Sequence, residues 1–578
     1  MIFLKKIIAL VLCLVMIASF MAACGGGGNE LQAATTGNAV QETIDANAAL
    51  SEIPKDLTLT IGMPLNGNIE DLDTNAYTLW LEEVTGYELE FITFQSGATD
   101  YKAQLSSMLA TGDELPDILY NFQLGAGAYE EYGKDGYFID LAPYYNNKEL
   151  SKTFWDRMAE LPEAQQTSVI KRLTADNGAM YAFARIENTM IDTMKFQVFI
   201  NQDWLTKLNL DMPTDIKSLE NVLRAFRDKD PNGNGKKDER PLIGGNAQTN
   251  SNIIQWIINM YCYNQNEFEY NYFNIDDNNK LYLNAITPEY REALCTINRW
   301  IKEGLMYTTA FNMGTKEIKG MVSPPNGEDL TVGVWASHPT LVLQEGRESV
   351  NAYAAMPIWG CAPRNSQYFT PAVFITQDCE YPAAAWNLLM TMCSKEGANR
   401  QRYGEYGVDY VDADPGTVSF LGLPAEIKVI NEDAFTGQNN TCYHFIMGTV
   451  LLNAENEVCQ LSGDMTPWVQ AKMKLMSDYY HIYIKAEAEN NPDAKYIMPD
   501  IDVPENVSDA DKNERDSCTG LIGEALKSFC VGQGDKYTDP NSDAQWNAYI
   551  KELEDLGYKT WMEHRQMIYD DQYPERAN

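Results

Sequence analysis

The strongest constraint on the fold is an alternation of hydrophobic period. Leu57–Gly62 reads Leu-Thr-Leu-Thr-Ile-Gly, apolar at every second residue, the spacing of a half-buried strand. Asn75–Val84 switches to a helical period, Glu88–Phe94 returns to strand character, Tyr101–Ala110 is helical, and Pro116–Asn121 is a short apolar run. Strand, helix, strand, helix and strand in such close succession predict βαβ units, whose crossovers lay helices on a mostly parallel sheet. A second series begins near residue 190, with a strand over Lys195–Ile200 and helices over Asp203–Leu208 and Ser218–Arg227. Further strands are predicted at Thr331–Ala336, Ala352–Ile358 and Ala372–Ile375. Helices are predicted over Pro382–Ser394 and over most of the chain beyond residue 425. A chain of 578 residues is too long for one core, so the expectation is an α/β protein of two lobes.

Ahead of the first strand the pattern changes. Lys5 and Lys6 precede an apolar run, Ile7–Phe20, which is short for a membrane span, and Met21-Ala22-Ala23-Cys24 follows. Residues 1–23 therefore read as a signal peptide. Its end resembles a bacterial lipobox, with Met21 where Leu is usual, and that resemblance implies lipidation of Cys24. An ordinary secretory peptide cut after Ala23 is the alternative. Residues 24–55 open on Gly25–Gly28, show no hydrophobic period and read as a flexible tether. The expected location is the extracellular face of the cell membrane, held through a lipid anchor only.

Charge and motif content exclude several functions. Lys plus Arg total 44 against 82 Asp plus Glu, a formal net charge of −38, which repels phosphate backbones and anionic lipid alike. No nucleic-acid partner is expected. The cysteines show no C-x-x-C spacing and the four histidines no H-E-x-x-H. No nucleophile elbow, P-loop or dinucleotide fingerprint is present. Glu82-Glu83, Glu130-Glu131 and Asp570-Asp571 are carboxylate pairs, but adjacent residues point apart on a helix or strand and read as solvated charge. No catalytic residue is expected.

Six stretches in order along the chain resemble one family. They are Thr74–Gly86, Ser106–Ile118, Asn177–Ala182, Asn201–Thr214, Arg402–Asp409 and Ala544–Gly557. Together they are similar to the extracellular solute-binding lipoproteins of carbohydrate ABC importers, in the branch of the alginate-oligosaccharide-binding proteins. The resemblance implies a two-lobe, type II periplasmic-binding-protein-like fold with a hinge and a ligand cleft. It implies lobes built from 56–190 with 362–440 and from 191–361 with 441–542, and a C-terminal helical segment over 543–578. The implied function is non-catalytic capture of an oligosaccharide by a monomer, with delivery to an ABC transporter permease on lobe closure. A secreted carbohydrate-active enzyme, or a binding protein for a non-sugar solute such as a peptide, are the alternatives.

Asp230-Pro-Asn-Gly-Asn-Gly-Lys-Lys-Asp-Glu239 is the most specific chemical motif. It sets oxygen-bearing side chains at positions 1, 3 and 5, glycine at 6, and carboxylates at 9 and 10. Calcium takes six to eight hard oxygens on a tightly turned backbone, and Gly235 permits the turn that would present the Lys236 carbonyl. Pro241 stands where an EF-hand loop has its closing Glu, so Glu239 would have to close the site. The resemblance implies the same set for a structural Ca2+: Asp230, Asn232, Asn234, Lys236 through its carbonyl, Asp238 and Glu239. Asp228 is an alternative outer ligand, and a solvated Asn-Gly turn is the alternative to metal binding.

A saccharide needs aromatic faces and planar hydrogen-bonding groups. Trp335 closes the Thr331–Ala336 strand where related sugar-binding proteins put a stacking Trp; a core position under the second sheet is the alternative. Tyr120 and Asn121 end one strand and Gln95 follows another, at the carboxyl edge where open α/β sheets bind ligands. Trp359 follows Ala352–Ile358. Tyr403, Tyr410, Tyr443 and His444 are further candidates, while Trp80, Trp300, Trp386 and Trp546 sit on helical periods and are expected in the core.

Overall fold

Thr58–Pro64 pairs in parallel with Glu88–Phe94, residue for residue from Thr58 opposite Glu88 to Pro64 opposite Phe94. The intervening helix, Ala76–Thr85, starts where the Asn75 side chain accepts the Tyr77 N–H and stops at Gly86, whose φ of 74° lies in the left-handed region. Gly62 lets the neighbouring layers close on the strand, because a Cβ there would lie 2.9 Å from Leu119, Phe94 and Pro116 side-chain atoms. The βαβ expectation therefore holds at the start of the chain.

The structure is a computed structural model that describes residues 50–67, 69–161, 163–188, 194, 196–245, 251–264, 272–362, 369–435, 439–443, 450–452, 459–490 and 509–572. The predicted signal peptide 1–23, the tether as far as residue 49, Cys24 and His444 lie outside the described residues. Strands are numbered along the chain: β1 Thr58–Pro64, β2 Glu88–Phe94, β3 Ile118–Tyr120, β4 Phe183–Asn188, β5 Val198–Asn201, β6 Arg240–Ile243, β7 Phe273–Ile275, β8 Leu281–Leu283 and β9 Val332–Ala336. They continue as β10 Tyr353–Ala355, β11 Phe369–Ile375, β12 Tyr410–Asp412, β13 Ile427–Val429, β14 Val450–Leu452 and β15 Cys459–Leu461.

Two larger sheets carry the molecule. The first has the order β14-β4-β11-β3-β1-β2, parallel except for β11, which runs against both β3 and β4. The second has the order β10-β5-β9-β6, with β6 and β9 parallel and β5 antiparallel to both its neighbours. Side-chain alternation sorts the second sheet into two faces: Phe199, Ile243 and Trp335 join one apolar cluster, and Val198, Ile200, Leu242, Val334 and Ala336 another. Smaller sheets are formed by β12, β13 and β15 and by the β7–β8 pair. The fold is α/β with two mixed sheets, the architecture expected of two lobes.

The far half of the chain departs from the sequence reading. Beyond residue 425 three strands, β13 to β15, precede the helices Pro467–Asn490, Asp509–Val531, Asp543–Asp555 and Tyr558–Gln572. Strands of three residues leave too little alternation to outweigh a helical period in the flanking sequence. The helix Asp509–Val531 packs on the helix Pro288–Lys302, where Asn298 Nδ2 donates to the Phe529 carbonyl at 2.8 Å, so the C-terminal region completes the core beside the second sheet. Trp300, Trp386 and Trp546 are buried as expected, and Trp80 is half-buried beneath the Arg400 guanidinium. No helix among the described residues is long and apolar enough to cross a membrane.

Candidate functional site

The chain twice passes between the two sheets, from β4 to β5 and from β10 to β11. β1 to β4 all end at one margin of the first sheet, and β11 begins there, Phe369 lying opposite Ile186. β6, β9 and β10 end at one margin of the second sheet, where β5 begins. Both passages therefore join these two margins. The residues just after the parallel strands, Leu65, Gln95 and Asn121 on one side and Gly244, Ser337 and Met356–Trp359 on the other, lie along that seam. It is where open sheets present their loops to ligands.

The sequence-predicted contacts divide between this seam and the layer behind it. Asn121 leaves β3 with φ of 63°, a left-handed conformation that Asn tolerates and that recurs at functional sites, and its Oδ1 accepts from Arg185 Nη1 at 3.4 Å. Gln95 is exposed after β2, its N–H donated to Gln104. Trp359 is half-buried, and its ring meets Trp256 edge-on at 5.9 Å. Trp256 comes from the helix Ile253–Asn259, and the Cys361 N–H donates to the last carbonyl of that helix at 2.8 Å, which fastens the corner. Both indole N–H groups are buried with no acceptor among the described residues. Sequence reasoning missed Trp256 and Arg185; Trp256 sits in an apolar helical run that reads as core.

Tyr120, Tyr403, Tyr443 and Trp335 lie deeper. Gln401 donates to the buried Tyr120 hydroxyl at 3.2 Å, so the helix Lys395–Tyr403 covers the end of β3. Tyr443 shares a hydrogen bond of 2.7 Å with Thr78 and stands edge-on to Tyr77. Tyr403 is buried beneath the Arg402 guanidinium, and Tyr410 is buried beside it. Trp335 is fully buried, its ring stacked on Phe199 at 4.5 Å with Tyr353 edge-on, as the core alternative has it. His338 caps the short helix Pro339–Val342, and burial, then the charge of Lys472, pulls its pKa down to about 4. Its Nδ1 is engaged by the Thr340 N–H and hydroxyl.

The Asp230–Glu239 loop folds as a tight, internally hydrogen-bonded turn. It joins the helix Ile216–Asp228 to β6 and carries Asp230 at φ of 49°, Gly233 at 77° and Gly235 at 73°. The Asp230 carboxylate accepts the N–H groups of Gly233 and Gly235, each at 3.1 Å. Asn232 accepts from Asn234 N–H at 3.1 Å, and Asn234 from the exposed Lys236 N–H at 2.8 Å. The side-chain amides of Asn232 and Asn234 converge on Asp238 at 3.0 and 3.1 Å, which holds the Asp238 carboxyl below its usual range. Glu239 is 7% exposed, and its Oε1 is buried without a hydrogen-bond donor. Burial, with the charges of Asp238 and Asp230 alongside, pushes its pKa up.

Asp228 turns away and pairs with Arg227 at 2.7 Å. Among the described residues no three His, Cys, Asp or Glu side chains are gathered as a metal cluster. The loop's own carboxylates, Asp230, Asp238 and Glu239, are therefore not drawn together as such a cluster. The Asn232 and Asn234 side chains turn their N–H groups to Asp238 and spend their oxygens on backbone N–H groups, and it is the Glu239 oxygen, without a donor among the described residues, that fits a hard cation.

No protein-family model matches the chain. Among characterised proteins, it is 24% identical over 537 residues to the fructooligosaccharide ABC transporter substrate-binding protein FusA of Streptococcus pneumoniae, covering 86% of this chain and 87% of that protein. It is 27% identical over 251 residues to the lipoprotein LipO of Bacillus subtilis, 43% of this chain and 45% of LipO. Among solved structures, the HMO-binding, ABC-transporter-associated solute-binding protein of Bifidobacterium longum infantis superposes with a TM-score of 0.68 at 18% identity, over 89% of this chain and 99% of that one. An EF-hand mutant of Streptococcus pneumoniae FusA in complex with fructo-nystose gives 0.66 at 19% identity, over 90% and 99%. The resemblance carried by the sequence, to the extracellular solute-binding proteins of carbohydrate ABC importers, is thus borne out by relatives in sequence and by neighbours in fold.

Proposed function

We propose that this chain is a non-catalytic, extracellular binding lipoprotein that captures an oligosaccharide at the seam between its two sheets and delivers it to an ABC transporter permease. The observation that carries this reading is the pair of chain passages joining the strand ends of two separate sheets, an arrangement that lets two lobes close about a hinge. FusA is described as a fructooligosaccharide-binding component of an ABC transporter, and its structures include complexes with fructo-nystose and kestose. The lobes of the proposal are 56–190 with 362–440, and 191–361 with 441–542, with β14 returning to the first sheet and 543–578 as a helical appendage. Asn121, Gln95 and Trp359 are proposed contacts, joined by Trp256 and Arg185. Tyr120, Tyr403, Tyr443 and Trp335 support them from behind, and His444 is proposed to join them. Cys24 is the proposed lipid anchor and 24–55 the tether that leaves the monomer free to reach the permease.

The test is a thermal-shift and product screen with kestose, fructo-nystose and milk oligosaccharides. A bound sugar at about one hundred times its Kd is expected to stabilise the protein by roughly 2.7 kcal/mol, with the sugar recovered intact. Cleaved sugar would show an enzyme instead, and a shift with peptides alone would show a different solute.

The Asp230, Asn232, Asn234, Lys236, Asp238 and Glu239 group is proposed to hold a structural Ca2+. The expected outcome is a melting temperature that falls on adding chelator and returns with calcium. Asp230→Ala combined with Asp238→Ala should abolish that response while leaving saccharide affinity at low temperature nearly unchanged. Identical melting curves with and without chelator would reduce the loop to a turn.

A further inference from the structure

We infer that Asp329, far along the chain from the Asp230–Glu239 loop, is an outer carboxylate of the cation site and ties the loop to the strand β9; the inference rests on the metal reading of that loop. Asp329 Oδ2 accepts from Asn234 Nδ2 at 3.0 Å, and the same nitrogen lies 3.1 Å from Asp238 Oδ2. The Asn234 amide is therefore bracketed by two carboxylates, one from inside the loop and one from the segment that leads into β9. An independent sign of a cation is the Glu239 Oε1 atom, buried with no donor in a residue only 7% exposed. A hydrogen-bond donor does not satisfy that oxygen, and the carboxylates of Asp230 and Asp238 lie alongside it. Asp329 thus adds a carboxylate from outside the loop, held to it through the Asn234 amide.

The position of Asp329 gives this contact a mechanical role. Glu239 stands one residue before β6, and Asp329 stands three before β9. β6 and β9 are parallel neighbours, paired from Arg240 opposite Val332 to Ile243 opposite Trp335, and the Arg240 N–H donates to the Thr331 carbonyl at 2.7 Å. A cation gripped by both segments would pin the starting ends of two strands whose far ends open onto the seam at Gly244 and Ser337. β6 is the edge strand of its sheet, its outer side met by an isolated bridge between Leu242 and Met306. An ionic clamp at its start would add to that sparse pairing.

The experiment is calcium titration of the full mature protein by calorimetry, with thermal melts at zero and saturating calcium. Asp329 is exposed, so Asp329→Asn keeps its shape and removes only charge. Removing one negative charge beside a bound divalent cation in a watery setting should weaken calcium binding on the order of tenfold. The melting temperature without calcium should stay as in the wild type, which a merely structural role for Asp329 would not allow. Glu328→Gln, an equal loss of charge on the exposed neighbour, should leave the affinity within about twofold, since it makes no contact with the loop. Wild-type binding with an unchanged Asp329→Asn affinity overturns the inference and leaves the metal site standing. An equal loss in Glu328→Gln reduces the effect to the general field of an acidic surface and also overturns it. Absence of calcium binding in the wild type overturns both.

Discussion

Stability should climb modestly from pH 7 to about 9 and then collapse before pH 11. The collapse comes from thiols. Burial pushes the pKa of Cys262 and Cys459 up to about 12 and that of Cys361 and Cys518 up to about 11, from an ordinary value of 9.0. A group whose folded pKa is raised contributes stability that is complete below the unfolded pKa and is lost as pH climbs towards the folded one. At pH 11 the unfolded chain has surrendered these protons and the folded chain still holds most of them. That difference costs roughly 2–3 kcal/mol per thiol, about 10 kcal/mol for four, on the scale of a whole domain's stability. Tyr144 and Tyr410, both pushed up to about 12 by burial, act in the same direction.

The modest rise comes from Lys472. Burial first, and Arg402 second, pull its pKa down to about 7 from 10.5. Between those values the unfolded lysine binds a proton that the folded one has released, so stability rises with pH there. His338, with its pKa drawn down to about 4, opposes acidification: the unfolded imidazole charges below about 6.5 while the folded one stays neutral. The check is a series of melting curves from pH 6 to pH 11 with a thiol reagent present at pH 8. No disulfide joins the nine described cysteines, and most are buried and should react only on unfolding. A melting temperature that is flat between pH 9 and pH 10.5 would contradict this account.

How much of this was legible in the sequence depended on how local each feature is. β2 spans Glu88–Phe94 as its strand character predicts, and the helical period over Asn75–Val84 becomes the helix Ala76–Thr85. The Asp230–Glu239 turn was legible because its five polar side chains lie within ten residues, so spacing is already geometry. Ala352–Ile358 shortened to Tyr353–Ala355, since Pro357 has no N–H to continue a ladder. Tyr120 was correctly placed at the end of a strand. What the strand could not reveal is the distant helix Lys395–Tyr403, which brings Gln401 onto its hydroxyl and closes it off. Trp256 and Asp329 share that character. Each gains its meaning from a partner about a hundred residues away, Trp359 for one and Asn234 for the other, and no local period records such a meeting.

Trp335→Ala should cost about 3–5 kcal/mol of folding stability, the usual range for truncating a buried aromatic. Trp335 is 0% exposed in the middle of the second sheet, opposite Phe199 on β5 and Ile243 on β6. Its ring stacks on Phe199 and meets Tyr353 edge-on at 5.6 Å, so truncation opens a cavity between three strands and the helix Pro467–Asn490, whose Tyr479 also faces Phe199. Trp335→Phe should recover part of the loss, because a smaller ring keeps the stack but leaves a void. The indole N–H adds nothing to be lost, since it has no acceptor among the described residues. Measuring urea unfolding and kestose affinity on the same preparations separates stability from recognition. A core role predicts an early unfolding midpoint with the denaturant slope unchanged, and weaker binding only where the lobe has begun to open. A Trp335→Ala protein that unfolds like the wild type but no longer binds would move this tryptophan from the core to the sugar.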